Sequence, residues 1–368
     1  MLEFSHSMNR SLVAAVLLAG LPIASEAQSS QSSQQYSFKF QGDALGRYEW
    51  TRDFFAPAGT EIPPNETRYR LQARPRVELG ISSLLFGVGG EFNYSEDENT
   101  EPPPALLRDN YKSREARLDL AFVSFKPVDW LQIQGGRFEM PFGLTEMIWD
   151  KDLRPQGGAI TFAKKDKSGN TRFAATGLYA QGSHVFDDEK ARMFLGQLHV
   201  GGASASLTGS YIEWSKLGEI EPMIRRQNTR LAGLYVNEYK VVDGVVRLTK
   251  DGQLHTQLVI DYCWNTAVDR DNRGLWIGVV AGSTETAKAK LEYTYASVGK
   301  DATLAAYATD DFFWATGWEG HRGDVGLRVA AKATAHGILQ YQRFKDSARL
   351  AEQDHWVKRY RAELRVKF

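Results

Sequence analysis

Two stretches of this 368-residue chain carry arginine at alternate positions. In "TRYRLQARPRVELG" (67–80), Arg68, Arg70, Arg74 and Arg76 share a parity with Gln72 and Glu78. In "WVKRYRAELRVKF" (356–368), Arg359, Arg361, Arg365 and Lys367 do the same around Glu363. Lys39 and Arg47 fall in phase within the segment that precedes the first stretch. A guanidinium stays charged at every physiological pH, so such rows supply a permanent field acting on ions rather than acid–base chemistry. A cluster of opposite sign, Glu139, Glu146, Asp150 and Asp152, lies in "EMPFGLTEMIWDKDLRP" (139–155). Catalysis by a nucleophile needs a base and an orienting acid beside it. None of the seven histidines (6, 184, 199, 255, 321, 336 and 355) sits in a nucleophile motif, and no His-x-x-x-His or paired cysteine suggests a metal. The expectation is no catalytic residue, no metal and no cofactor. The acidic run "SEDENTEPPP" (95–104) lacks the spacing of a calcium loop and reads as a solvated connector.

Composition narrows the setting of these charges. Lys plus Arg and Asp plus Glu number 45 each, which argues against a nucleic-acid partner. No apolar run reaches the roughly 18 residues of a membrane-spanning helix. The longest, "LVAAVLLAGLPIA" (12–24), follows Arg10 and precedes Ser25-Glu26-Ala27. That order of a basic start, a short apolar stretch and a small-x-small site predicts a secretory signal over 1–27. "QSSQSSQQ" (28–35) reads as a short disordered leader, and 36–368 as one domain. The single cysteine, Cys263, leaves no intramolecular disulfide in an exported chain.

The elements that must position the charges are strands. From residue 36 onward the hydrophobic period is two. Tyr36, Phe38 and Phe40 alternate with Ser37 and Lys39; Tyr69, Leu71, Ala73, Val77 and Leu79 alternate with the arginines. Pro75 removes one ladder hydrogen bond from the second segment. Sixteen such segments are expected, including 229–239 and 254–265. Their connectors alternate in length: short at 82–83, 126–130, 166–170, 201–203, 283–286 and 334–335, long elsewhere. Residues 240–253 break the alternation and read either as a small extra hairpin or as a miscount of strands. A membrane barrel explains the alternation, with tight turns on one side and long loops on the other. It also pairs every backbone group without consecutive apolar residues. Tyr36, Trp50, Tyr94, Trp130, Tyr211, Trp214, Trp276, Trp356 and Tyr360 are the candidates for its aromatic girdles.

Closing such a barrel joins the last strand to the first. The inward faces of three neighbouring strands then form one basic wall of Lys39, Arg47, Arg68, Arg70, Arg74, Arg76, Arg359, Arg361 and Arg365. Sixteen strands enclose an aqueous channel, and the charges facing it set what passes. The plain alternative for the arginines is a solvated surface.

The closing segment, with Tyr360, Ala362, Leu364, Val366 and Phe368 alternating to a terminal aromatic, resembles the last strand of bacterial outer-membrane proteins. "VSFKPVDWLQIQGGRFEMPFG" (123–143), "DKDLRPQGGAI" (150–160) and "YATDDFFWATGWEGHRGDVGLRV" (307–329) resemble porins related to the phosphate-selective porins. The resemblance implies an all-β transmembrane up-and-down barrel of about 16 strands in the bacterial outer membrane. It implies a water-filled channel for passive diffusion of small hydrophilic solutes and ions, and a homotrimer. It makes Tyr360, Leu364, Val366 and Phe368 the signal read by the barrel-assembly machinery. Outer-membrane lipid and lipopolysaccharide become its surroundings. It also implies that the third external loop folds inward, setting Glu139, Glu146, Asp150 and Asp152 across from the basic wall. The alternative for that loop is a position outside the barrel, against lipopolysaccharide cations. Dominance of the arginines would give a weak anion preference. A dedicated phosphate or oligosaccharide channel is the alternative function, although a lysine-rich ladder of the phosphate-selective kind is absent. "DDFFW" (310–314) reads as a membrane-dipping loop or a subunit contact.

Overall fold

The computed structural model describes residues 36–52, 66–97, 114–183, 191–220, 228–252, 254–309, 312, 315–345 and 356–368. The expected signal and leader (1–35) and most of the 95–104 run lie outside the described residues. Sixteen strands form the fold: β1 (Tyr36–Arg52), β2 (Glu66–Ile81), β3 (Leu84–Asp97), β4 (Arg114–Val128), β5 (Leu131–Arg137), β6 (Pro155–Lys165), β7 (Thr171–Ser183) and β8 (Arg192–Gly201); then β9 (Ala205–Ser215), β10 (Tyr239–Lys250), β11 (Thr256–Asn265), β12 (Arg273–Gly282), β13 (Ala289–Val298), β14 (Trp318–Ala330), β15 (Ala333–Phe344) and β16 (Val357–Lys367). Each pairs antiparallel with its sequence neighbours, and β16 pairs with β1 to close the barrel.

The outside of the cylinder is apolar because alternate side chains point there. Phe38, Val88, Leu198, Leu207, Leu291 and Leu339 are all exposed, between 48% and 70%. An isolated protein in water would gain stability by covering such a surface, and a bilayer covers it. The opposite parity is polar and buried, as with Glu49, Arg70, Gln72, Glu91, Arg361 and Glu363. No described helix is long and apolar enough to cross a membrane, so the crossing elements are the strands.

Two expectations are corrected. Residues 229–239 do not form a barrel strand. Arg230–Leu231 and Leu234–Tyr235 make a small two-stranded hairpin inside a long connector. The strand is Tyr239–Lys250, within the segment 240–253 whose alternatives were an extra hairpin or a miscount of strands. "YKVVDGVVRL" alternates Tyr239, Val241, Asp243 and Val245 against Lys240, Val242, Gly244 and Val246. Both faces are apolar there, because its inner face packs on protein, and that hid the strand's period. With this exchange the count stays at sixteen, and the step from Lys250 to Thr256 supplies the missing short connection. The second correction concerns the girdles. Trp214 and Trp276 are 4% and 7% exposed and face the interior, where they join an apolar cluster. Tyr36, Trp50, Trp130, Tyr211 and Tyr360 are outward and exposed.

The closure depends on the last residue. The Phe368 N–H donates to Gly42 O and the Gly42 N–H to Phe368 O, both at 3.0 Å. The Phe368 ring lies across Gly42, where a Cβ would stand 2.7 Å from ring carbons and 2.5 Å from Arg74 O. Phe40 packs on the same ring, with centroids 5.8 Å apart. Gly42→Val should therefore push the ring off the seam, at the roughly 1–3 kcal/mol typical of overpacking. We expect the folded, heat-modifiable gel band to convert at a lower temperature than in the wild type. An unchanged conversion temperature would mean the seam does not rely on that ring.

Candidate functional site: the charged lumen and the third long connector

The third long connector, 138–154, meets the inner wall along its whole length. It leaves β5 at Phe138, and Glu139 pairs with Arg76 of β2 at 2.8 Å. At Gly143 the backbone N–H donates to Gln197 of β8, and the carbonyl accepts from Arg247 of β10, both at 2.9 Å. The Thr145 hydroxyl donates to Asp261 of β11. Glu146 pairs with Lys151 at 2.7 Å and lies 3.7 Å from Arg322 of β14. Asp152 returns to β2, pairing with Arg74 at 2.5 Å. Arg154 then pairs with Asp119 of β4 at 3.0 Å, and β6 begins. Every wall residue in this circuit has the parity of the buried polar face.

The local fold follows from the sequence of the segment. Ile148 and Trp149 N–H groups both donate to Thr145 O, forming one helical turn. Asp150 ends it, its carboxylate accepting from the Asp152 N–H at 2.9 Å as an Asx turn does. Met147, Ile148, Trp149 and Leu153, in and just after that turn, are all buried. They pack on Ala302, Leu304, Tyr307 and Phe312 of the connector 299–317. Trp149 stacks on Tyr307 with centroids 5.4 Å apart and planes 10° from parallel. Two backbone bonds join the connectors, Asp150 N–H to Tyr307 O (2.8 Å) and Thr309 N–H to Glu146 O (2.9 Å). Gly274 leaves room for this packing, since a Cβ there would fall 2.7 Å from both Met147 Sδ and Cys263 Sγ. Asp301 braces the second connector, accepting from Thr229, Asn237 and the Tyr239 hydroxyl (2.7 Å).

Of the "DDFFW" run, Phe312 is described. It is fully buried, 5.5 Å from the Trp276 ring and 4.3 Å from that of Trp318. This corrects the membrane-dipping and subunit-contact readings for that residue.

The arginine rows on β16, β1 and β2 are brought together, with acids threaded between them. Glu363 accepts from Arg47 (2.7 Å) and Arg365 (2.5 Å). Glu49 pairs with Arg359 (3.2 Å) and Arg361. Arg74 also meets Asp43 at 3.0 Å, and Arg76 meets Glu78 at 3.4 Å. Lys39 stands opposite Glu78, Arg68 opposite Glu49, and Arg70 opposite Arg47 in the strand register. On β3 and β4, Glu91 and Arg117 pair at 2.9 Å. The structure thus places all nine basic residues on one inner face. They form an ion-pair lattice, where the sequence had suggested an unbroken basic wall. Asp43 and Glu49 were missed as members, and parity along β1 was the signal that could have found them; Glu363 had been placed on the charged face without its role as a partner of the arginines.

The four loop acids are not equivalent. Glu139 has a side chain 60% exposed, whereas Asp150 is buried and occupied by its turn. Burial opposes ionisation of Asp152, but Arg74, Lys151 and Arg70 outweigh it and hold that carboxyl well below the ordinary range. Asp152 is therefore a permanent anion facing a permanent cation. Arg247, Lys290, Arg322 and the pair His336–Asp324 (2.9 Å) also face inward and lay outside the sequence-based set.

A closed antiparallel barrel of sixteen strands, with long connectors at one end and short turns at the other, is the architecture of bacterial outer-membrane porins. Among solved structures it is similar to OprB of Pseudomonas putida at high pH, with a TM-score of 0.61 and 10% identity over 90% of this chain and 94% of that one. The low-pH structure of OprB gives 0.53, with 12% identity over 90% and 92%. A triple mutant of the Rhodopseudomonas blastica porin gives 0.52, with 9% identity over 90% and 100%. By sequence, residues 38–194 match the family described as "Putative porin". The fold and the family match together support an integral outer-membrane channel for small solutes. No curated protein matches the chain by sequence.

Proposed function

We propose that this protein is a diffusion channel narrowed from within by residues 138–154, and that it passes small hydrophilic solutes with a weak preference for anions. One observation carries the reading: the circuit of contacts from that connector to inward side chains of β2, β4, β8, β10, β11 and β14. A loop lying outside the barrel would not reach them. On the β8–β14 side the loop packs against an apolar cluster. Water and solute are then left the charged side, between Asp152 and Glu139 and the arginines of β16, β1 and β2.

Opposed rows of charge produce a transverse field that orients dipolar solutes and penalises apolar ones. On the three-strand wall, ten basic residues, Lys367 among them, share a face with Asp43, Glu49, Glu78 and Glu363. That excess concentrates anions near the wall. The loop acids offset part of it, which makes the preference weak. A dedicated phosphate or oligosaccharide channel would need a graded ladder of one residue type, and acids interleaved with the arginines run against such a ladder. Tyr360, Leu364 and Phe368 all lie on the outer face of the closing seam, where an assembly factor could read them.

Planar-bilayer recordings under a potassium chloride gradient test the proposal. We expect discrete conductance steps and a small reversal potential of anionic sign, growing as salt is lowered and the Debye length lengthens. A reversal potential of cationic sign, or no steps at all, would overturn it.

A further inference from the structure

The long-connector end of the barrel carries a second charged feature, outside the lumen. Where β12, β13, β14 and β15 end, a cavity of about 210 Å³ is lined by Asp271, Arg273, Gly299, Lys300, Gly317 and Lys345. Strand parity shows which way it opens. Gly274 and Trp276 are buried on the inner face of β12, so Arg273 has the parity of Val279, which is 43% exposed on the outside. Lys345 follows the outward Leu339, Tyr341 and Arg343 of β15, and its Nζ donates to Ser297 at 2.7 Å on the outward parity of β13. Arg273 and Lys345 therefore face outward on the lipid side of the rim, and Lys300 and one carboxylate, Asp271, complete the lining of the cavity between them. Arg273 forms no ion pair among the described residues.

Just below lies an aromatic group. Tyr341 stacks on Trp356 with centroids 4.2 Å apart, His321 stacks on the same indole at 6.0 Å, and Tyr293 bonds His321 at 2.7 Å. Amphipathic rings of this kind mark the boundary between acyl chains and headgroups. Lys345 is four residues beyond Tyr341, or about 10 Å higher once the tilt of a barrel strand is allowed for. The cavity thus stands at the height of the headgroups. Backbone bonds hold its floor open: Gly299 N–H to Arg273 O (2.9 Å), Gly317 N–H to Val298 O (2.9 Å) and Lys345 N–H to Gly317 O (2.9 Å).

We propose that this rim cavity binds a phosphate group of an anionic outer-leaflet lipid, with Arg273, Lys300 and Lys345 as its ligands. Arginine offers a fork matched to phosphate, and the two ammonium groups add donors for the remaining oxygens. Acyl chains resting on Leu339 below, an outward side chain 48% exposed, favour a lipid over free phosphate. Each chain carbon in the bilayer adds to the hold on the headgroup. The proposal rests on the outer-membrane reading of the barrel and not on its selectivity.

The test uses the mature protein in detergent, titrated with diphosphorylated lipid A, fully dephosphorylated lipid A and inorganic phosphate. Binding is read by native mass spectrometry, with bilayer conductance measured on the same samples. We expect the diphosphorylated lipid to bind, and Arg273→Gln/Lys300→Gln/Lys345→Gln to weaken it at least about tenfold. A Lys126→Gln control at the opposite end should leave binding unchanged, and conductance of the triple variant should match the wild type. Equal binding by the triple variant, equal binding of the dephosphorylated lipid, or equally tight inorganic phosphate would each overturn the proposal. Channels that fail to form while lipid binding follows the expected pattern would sink the diffusion reading alone.

Discussion

Replacing Leu144–Lys151 with a short Gly-Ser linker should raise single-channel conductance several-fold. The segment carries the helical turn and the apolar side chains that seat the connector in the barrel. Burying each of Met147, Ile148 and Trp149 is worth about 1.5–3 kcal/mol. The ion pairs at its edges are partly exposed, with Arg74 and Asp152 side chains at 19% and 20%, and pairs of that kind contribute on the order of 1 kcal/mol or less. Apolar burial therefore holds the loop, and removing the apolar turn releases it. The strands retain their ladder and closing seam, so the barrel remains. Trp149→Ala supplies a smaller version of the same change, losing the stack on Tyr307; it should add open-channel noise. Wild-type conductance in both variants would place the loop away from the conducting path.

Arg70→Glu combined with Arg74→Glu should reverse the selectivity. The double change moves the wall by four charge units beside Asp152, where the field is strongest. Because apolar packing seats the loop, the recording reads the change of charge with the loop still in place. Under a tenfold gradient an ideally selective pore reaches about 59 mV. A weakly anionic wild type should sit near zero, and the variant should move by tens of mV to the cationic side. The shift should shrink as salt rises, since the electrolyte in the lumen shortens the reach of a charge to about 3 Å at 1 M. Arg70→Gln with Arg74→Gln should fall between the two. Superimposable potentials at low salt would mean that these side chains lie off the path. Neutralising Asp152 should move selectivity the other way. Asp150 is the wrong partner for that experiment, because it is buried in the turn that shapes the loop.

Much of this was legible in one dimension, for a reason peculiar to barrels. A strand bordered by lipid and water must alternate, so "TRYRLQARPRVELG" declares both its structure and its two environments. Where the interior is packed with protein the alternation fades. "YKVVDGVVRL" is apolar on both faces because Tyr239 and Val241 join the cluster under the connectors and Val245 is buried on the same face, so by pattern it resembles an extra hairpin or a miscounted strand. Trp214 and Trp276 misled in the same way, since an aromatic near a strand end can belong to a girdle or to a core.

Period and composition alone determined a cylinder of strands, its closing seam, the parity of its charges and the absence of cysteine cross-links. Tertiary structure decided which charges meet: Glu49 between Arg359 and Arg361, Glu363 between Arg47 and Arg365, Asp152 against Arg74. It also decided that two connectors far apart in the chain share one apolar core inside the barrel. The physical reason is range. Alternation is a property of adjacent residues, whereas pairing across a barrel depends on register and on the route of a loop, which no local pattern encodes.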